Sequence, residues 1–406
     1  MIGRKSYVRE LEKFIDTPFI KVITGIRRCG KSSVLLMLRD RLLERGVPEE
    51  RIIYINLESF EHAGILNAKN LYDYAVSKIH APKERHYLLL DEIQDVESWE
   101  KCVNALTVDR NVDIYLTGSN SHLLSSELST YIAGRYVQMP VFTLSFEEYL
   151  QFQSAYLPEM YLNRKDSFAR YLRRGGFPGI HTFDNSEETA LTIVRDIYSS
   201  IILRDTIMRH NIRDAELLER VIRYAFDNIG NTFSGKSVAD YFKNQQRKVD
   251  INTVYNYLNA LESAFILHRV PRYNLRGKEI LKTQEKFYLS DISLLYATMG
   301  YRDSLIGGIL ENIVFLELKR RGYAVYIGKA DTKEIDFVAE KHGQRLYAQI
   351  AYKLESPQTA EREFGTLASI KDQYPKFVVT MDDFWREPVK GVEHIHISDF
   401  LLDTRF

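Results

Sequence analysis

One octapeptide constrains the fold more than anything else in the chain. Gly25-Ile26-Arg27-Arg28-Cys29-Gly30-Lys31-Ser32 follows the apolar run Phe19–Thr24 and opens a helical pattern that closes at Gly46. It fits G-x-x-x-x-G-K-[ST] in full, with the strand before and the helix after that this pattern requires. Glycines at its two ends let successive backbone N–H groups curl around phosphate oxygens, and the helix turns its positive dipole end toward them. The expected phosphate contacts are Gly25, Ile26, Arg27, Arg28, Cys29, Gly30, Lys31, Ser32 and Ser33. Lys31 would bridge the β- and γ-phosphates of ATP, and Ser32 would ligate Mg²⁺. The next hundred residues alternate in the same sense. RIIYINLES, HYLLLDE and VDIYLTGSNS read as strands, and LYDYAVSKIH and WEKCVNALTVDR as helices. This predicts an α/β fold: a P-loop parallel sheet with helices on both faces.

A P-loop needs a carboxylate on a neighbouring strand. His86–Leu90 is an apolar run that ends in Asp91-Glu92. Asp91 is expected to hold Mg²⁺ through water, and Glu92 to act as general base on the attacking water. The following strand leaves through Thr117-Gly118-Ser119-Asn120-Ser121. Ser119 or Asn120 could position the water there, and the residue types do not choose between them.

Composition limits the rest. Lys plus Arg equals Asp plus Glu at 55 each, so no chain-wide field attracts nucleic acid or membrane. The two cysteines cannot form a disulfide framework, and no Cys/His cluster suggests a metal site. No segment reads as a signal peptide or a bilayer span, so a soluble cytoplasmic protein without membrane contact is expected. A chain of 406 residues predicts two to four domains.

The set GIRRCGKS, YLLLDE, LTGSNS, AGRYV, TLSFEEYL and RRGGFPG resembles the AAA-type ATPases of bacteria and archaea that carry a C-terminal domain of unknown function. The resemblance spans essentially the whole chain. It implies that Arg135 of Ala133-Gly134-Arg135 is an arginine finger, acting in its own chain or on a neighbour in an oligomer. It also implies that Gly176-Phe177-Pro178 lies at a lid hinge, although a helix stop and turn would produce the same residues.

Four parts are expected: a P-loop core (1–140), a helical lid (141–228), a winged-helix-like segment (229–290) and a C-terminal α/β part (291–406). The third holds ten Lys or Arg against five Asp or Glu, with Thr253, Tyr255 and Asn256 placed to face a DNA groove. An excess of five charges is a modest footprint, so a packing or protein-contact module is the preferred reading and DNA the alternative. The fourth part resembles the PD-(D/E)xK nuclease core in Glu311 and Asp336. It departs from that pattern at Gln349, where an acid belongs, and at Ala351, where a lysine belongs. Lys353 would share a strand face with position 351 and restore part of the charge. An inactive or weak nuclease-like site is expected. No motif identifies the molecule on which the ATPase works, and oligomeric state stays open.

Overall fold

The computed structural model describes residues 2–121, 134–160, 162–182, 186–275, 277, 279–330, 333–382, 389 and 391–406. Two compact units emerge: Met1–Thr143 with Ser263–Phe265, and Leu144–Glu262 with Ile266–Phe406.

The first unit is built on five parallel strands: β1 (Ile20–Thr24), β2 (Ile52–Asn56), β3 (His86–Asp91), β4 (Val112–Gly118) and β5 (Tyr136–Pro140), in the order β2-β3-β4-β1-β5. All residues of β1 and β3 are buried, as strands covered on both sides must be. Helices α1 (Lys5–Glu12) and α2 (Lys31–Glu44) pack together, as do α3 (Ala68–Lys78) and α4 (Trp99–Asp109). Val22, Leu88, Leu90, Leu116 and Val103 lie in one hydrophobic core. The alternation predicted β1 to β4 with α2 to α4. Strand β5 and helix α1 were not predicted, and β5 extends the sheet beside β1.

The second unit opens with α5 (Phe146–Tyr156), α6 (Arg164–Arg174), α7 (Glu187–Ser200), which runs on as a π-helix over Ile201–Met208, and α8 (Ala215–Asp227). Gly175-Gly176 follows α6 under tight steric control. Gly175 has φ +75°, and a Cβ on Gly176 would lie 2.6 Å from the Leu144 carbonyl oxygen. The Gly176 N–H donates to Asp291 (2.8 Å), so these glycines let this turn dock on a residue far along the chain.

Next come β6 (Thr232–Phe233), α9 (Gly235–Asn244), α10 (Ile251–Ser263), β7 (Leu267–Asn274) and β8 (Glu279–Leu289). This stretch runs helix, helix, hairpin. After α11 (Ser293–Met299), the chain continues through α12 (Ile306–Arg320), β9 (Ala324–Ala330), β10 (Lys333–Lys341), β11 (Gln344–Ile350), α13 (Pro357–Ala368), β12 (Lys376–Thr380), β13 (Glu393–His396) and α14 (Ile397–Phe400). Strand β13 lies parallel beside β12 at one edge of the sheet. The eight strands β13-β12-β11-β10-β9-β7-β8-β6 form one sheet. Strand β7 pairs in parallel with β9 through Arg272–Asn274, so the ladder crosses position 290 without a break.

Candidate active site

At the C-terminal end of β1 the chain turns under the constraint of its own backbone. A Cβ on Gly25 would lie 2.1 Å from the Val141 carbonyl oxygen. Only glycine lets the loop leave the strand this close to the segment after β5. Gly30 has φ +103° and is the N-cap of α2, which leaves the first N–H groups of that helix facing the loop. The loop is anchored from outside by residues that the sequence did not flag. The Arg4 guanidinium is buried and donates to the Cys29 carbonyl at 2.9 Å. The Cys29 thiol donates to the Val141 carbonyl at 3.2 Å, and burial pushes this thiol above its ordinary range. Arg27 pairs with Glu58 after β2 at 2.7 Å, whereas Arg28 is exposed. Ser32 and Ser33 begin α2 half-buried.

Lys31 is 3% exposed. Its ammonium lies 3.3 Å from the Ile26 carbonyl and 3.4 Å from the Glu92 carboxylate. Burial works against that charge, but Glu92, Cys29 and Asp91 more than compensate, and the ammonium is held above its ordinary value. Glu92 shows the reciprocal balance. Burial would raise it, yet Lys31, the Gln94 amide and Arg27 hold it below the usual carboxylate range. Its backbone takes the left-handed conformation, φ +56°, at the turn after β3. Such strain in a non-glycine residue often marks a functional position. The Glu92 N–H donates to Thr117 Oγ1 (2.9 Å), and Gln94 Nε2 donates to Glu92 Oε2 (2.6 Å).

Asp91 sits between two hydroxyls from the flanking strands. Tyr54 of β2 donates to Oδ2 at 2.9 Å, and Thr117 of β4 donates to Oδ1. The sheet order β2-β3-β4 makes this possible: β4 flanks Asp91 on one side, and on the other Tyr54, in register with Leu89 two residues earlier, reaches along β3 to it. Ser119 and Asn120 are fully buried at the end of β4. The P-loop, Asp91, Glu92 and the Thr117–Asn120 turn thus share one end of the sheet, as the sequence predicted. Tyr54 and Gln94 are additions, and so is the contact that Thr117 makes with Asp91. A strand tyrosine and threonine carry no motif, although their position beside the acid-bearing strand could have raised them.

Arg135 lies elsewhere. Its carbonyl accepts from Ile20 N–H at 2.8 Å, at the start of β1, and its side chain is exposed. Five residues of strand separate that end from Gly25, about 16 Å at the usual rise. Ala133 lies outside the described residues.

The nuclease-like residues also differ from expectation. Glu311 of α12 and Asp336 of β10 meet, and the Gln349 side chain accepts from the Asp336 N–H at 3.4 Å. Strand β11 ends at Ile350, so Lys353 is off the strand, exposed, and over the Tyr352 ring. The lysine that reaches the acids is Lys286 of β8, with its ammonium 3.1 Å from Glu311 and 3.6 Å from Asp336. In the winged-helix-like segment, Asn256 is exposed but Tyr255 packs against Gly235. Arg247 and Lys286 pair with Asp214 and Glu334, acids outside the segment, which shrinks the basic excess counted from sequence, and Arg269 pairs with Glu262 inside it. Arg276 and Lys278 lie outside the described residues.

Among the described residues no helix is long and apolar enough to cross a membrane. A family model described as an AAA domain matches residues 17–150, and one for a domain of unknown function, DUF8612, matches residues 165–305. An uncharacterised protein of Haemophilus influenzae is 38% identical over 99% of both chains. An uncharacterised protein of Methanocaldococcus jannaschii is 29% identical over 91% of this chain and 83% of its own. In fold, the chain is similar to the Walker-type ATPase PABY2304 of Pyrococcus abyssi, at a TM-score of 0.52 and 16% identity over 73% of this chain and 96% of that one. The chain belongs to the family of the Haemophilus influenzae protein, and its N-terminal unit is an AAA-type P-loop ATPase domain.

Proposed function

We propose that the chain hydrolyses ATP at the P-loop and uses the nucleotide state to rearrange the parts that follow. The observation that carries this reading is the ion pair of Lys31 with Glu92, 3.4 Å apart, beside an Asp91 oriented by two hydroxyls. Binding alone would need a magnesium ligand but no second acid. The γ-phosphate would draw Lys31 from Glu92 and leave an ionised carboxylate free to take the proton of an attacking water. Ser32 and Asp91 fit Mg²⁺ in residue type and position, and the ion would supply charge neutralisation between the β- and γ-phosphates. Asn120 or Ser119 would orient the water. Arg135 would act on the site of a neighbouring copy, which makes an oligomer part of the proposal.

The assigned parts are a P-loop core (1–140), a helical lid (141–228), a winged-helix-like segment (229–290) and a nuclease-like part (291–406). A protein partner is favoured over DNA for the third, given the paired Arg247, Arg269 and Lys286. The two buried free cysteines fit work in the cytoplasm.

Steady-state ATP turnover, with solution mass measured with and without ATP, tests the reading. Wild type turns over and gains mass with ATP, while Arg135→Ala assembles but turns over at least about 10³-fold more slowly, the scale of an arginine finger. Equal turnover in the two proteins would remove the finger, and no turnover in wild type would leave only a nucleotide-held switch. Tyr54→Phe deletes one of the two hydroxyls on Asp91. The half-saturating Mg²⁺ concentration should rise about tenfold, the loss of one charge-assisted hydrogen bond. An unchanged Mg²⁺ dependence would show that Tyr54 does not orient Asp91.

A further inference from the structure

Helix α12 and strands β8 and β10 bring four ionisable side chains to one spot in the C-terminal unit. The Lys286 ammonium lies 2.9 Å from Glu334, 3.1 Å from Glu311 and 3.6 Å from Asp336, and its side chain is 3% exposed. An ammonium has three N–H donors. Two carboxylates accept from it at hydrogen-bond distance and the third is an ion-pair neighbour at 3.6 Å, so its charge is directed into the cluster. The carboxylates are committed elsewhere as well. Tyr288 OH donates to Glu311 (2.9 Å), and the Ile350 N–H donates to Asp336 Oδ2 (2.8 Å). Glu363 of α13 adds a further negative charge felt by Asp336. A bulge in β10 between Ile335 and Val338 falls at Asp336. Bulges recur beside active sites because they re-aim a side chain.

Charge and size argue in the same direction. The expected second-strand acid is the neutral Gln349, so a single positive charge goes further here than it would among four acids. Oxygens at 2.9–3.6 Å from a shared centre suit an ammonium. Magnesium requires about 2.0–2.1 Å, so the ion could enter only if the lysine left.

We propose that the Lys286 ammonium is a built-in cation standing where a divalent metal would sit among Glu311, Glu334 and Asp336, so that the cluster is a latent metal site closed by the chain itself. This rests on the reading of Glu311 and Asp336 as counterparts of nuclease metal ligands. The lysine arrives on the wing strand rather than on the strand of Gln349, and the same contact rivets β8 to α12 and β10.

Nucleotide-free full-length protein is titrated with Mn²⁺, with bound ion read by electron paramagnetic resonance and stability by thermal melting. Wild type binds no Mn²⁺ that depends on Asp336. Lys286→Met gains one Mn²⁺ per chain and melts about 5 °C higher with Mn²⁺ at a hundredfold excess over Kd than the same variant without it. Both gains vanish in Lys286→Met/Asp336→Asn. If Lys286→Met does not fold, Lys286→Gln, which keeps two donors, takes its place in the same titration. One Mn²⁺ bound by wild type and lost in Asp336→Asn overturns the proposal but keeps the nuclease-like reading. Absence of Mn²⁺ from wild type and from the folded lysine variant overturns both.

Discussion

Glu92→Gln is expected to lower steady-state ATP turnover by about 10²–10⁴-fold, the range for a positioned general base, with ATP affinity changed by no more than a few-fold. The substitution keeps the size of the side chain and its reach toward Gln94. It removes the charge that Lys31, Gln94 and Arg27 hold below the ordinary carboxylate range. Lys31 then loses its partner at 3.4 Å and is freer for phosphate, so binding does not suffer. Lys31→Ala gives the opposite pattern, with affinity lost before chemistry can be measured. Turnover and binding measured on the same preparations separate the two. Unchanged turnover in Glu92→Gln would show that another group takes the proton.

The second large effect concerns stability. Lys286→Met should destabilise the C-terminal unit by about 3–5 kcal/mol, the cost of leaving a buried partner charge uncompensated. Denaturant melts at two pH values check both size and mechanism. Glu311 has a folded pKa of about 8, above the ordinary carboxylate value near 4.3. Between those values the folded state binds the extra proton, so its stability declines as pH rises through the window. Without Lys286 the ionised carboxylates have still less to offset them. The deficit of the variant should therefore be smaller at pH 5 than at pH 8. A deficit independent of pH would mean that lost packing, rather than charge, accounts for it.

The sequence carried most of what lies near the P-loop, for a physical reason. Phosphate binding demands particular residue types at fixed spacing, and β1, β3 and β4 are almost wholly buried runs, with β2 buried at alternate positions. Strand β5 escaped notice because Tyr136–Pro140 is half-exposed, short and ends in proline, with no apolar period to follow. Helix α1 escaped because only Leu11 of its eight residues is buried. Tyr54 and Thr117 act across strands, so their roles depend on strand order rather than on neighbours in sequence. The same limit explains Lys286. Counting charges made it part of a basic wing, yet its partners lie 25, 48 and 50 positions further along the chain. Lys353 was chosen by extending an alternation past Ile350, where the strand has already ended.

Continuity of the ladder from β7 to β9 bears on how the protein can be divided. A chain cut after residue 290 would keep the β7–β8 hairpin but bare the edge of β7 along Arg272–Asn274. Its unpaired backbone groups would be open to another copy, a recognised route to aggregation. The cut would also leave Lys286 with a buried charge and none of its three acids. Winged-helix-like segment and C-terminal strands should therefore unfold in one cooperative step, and amide exchange along β7 and β9 should reach the same slow limit.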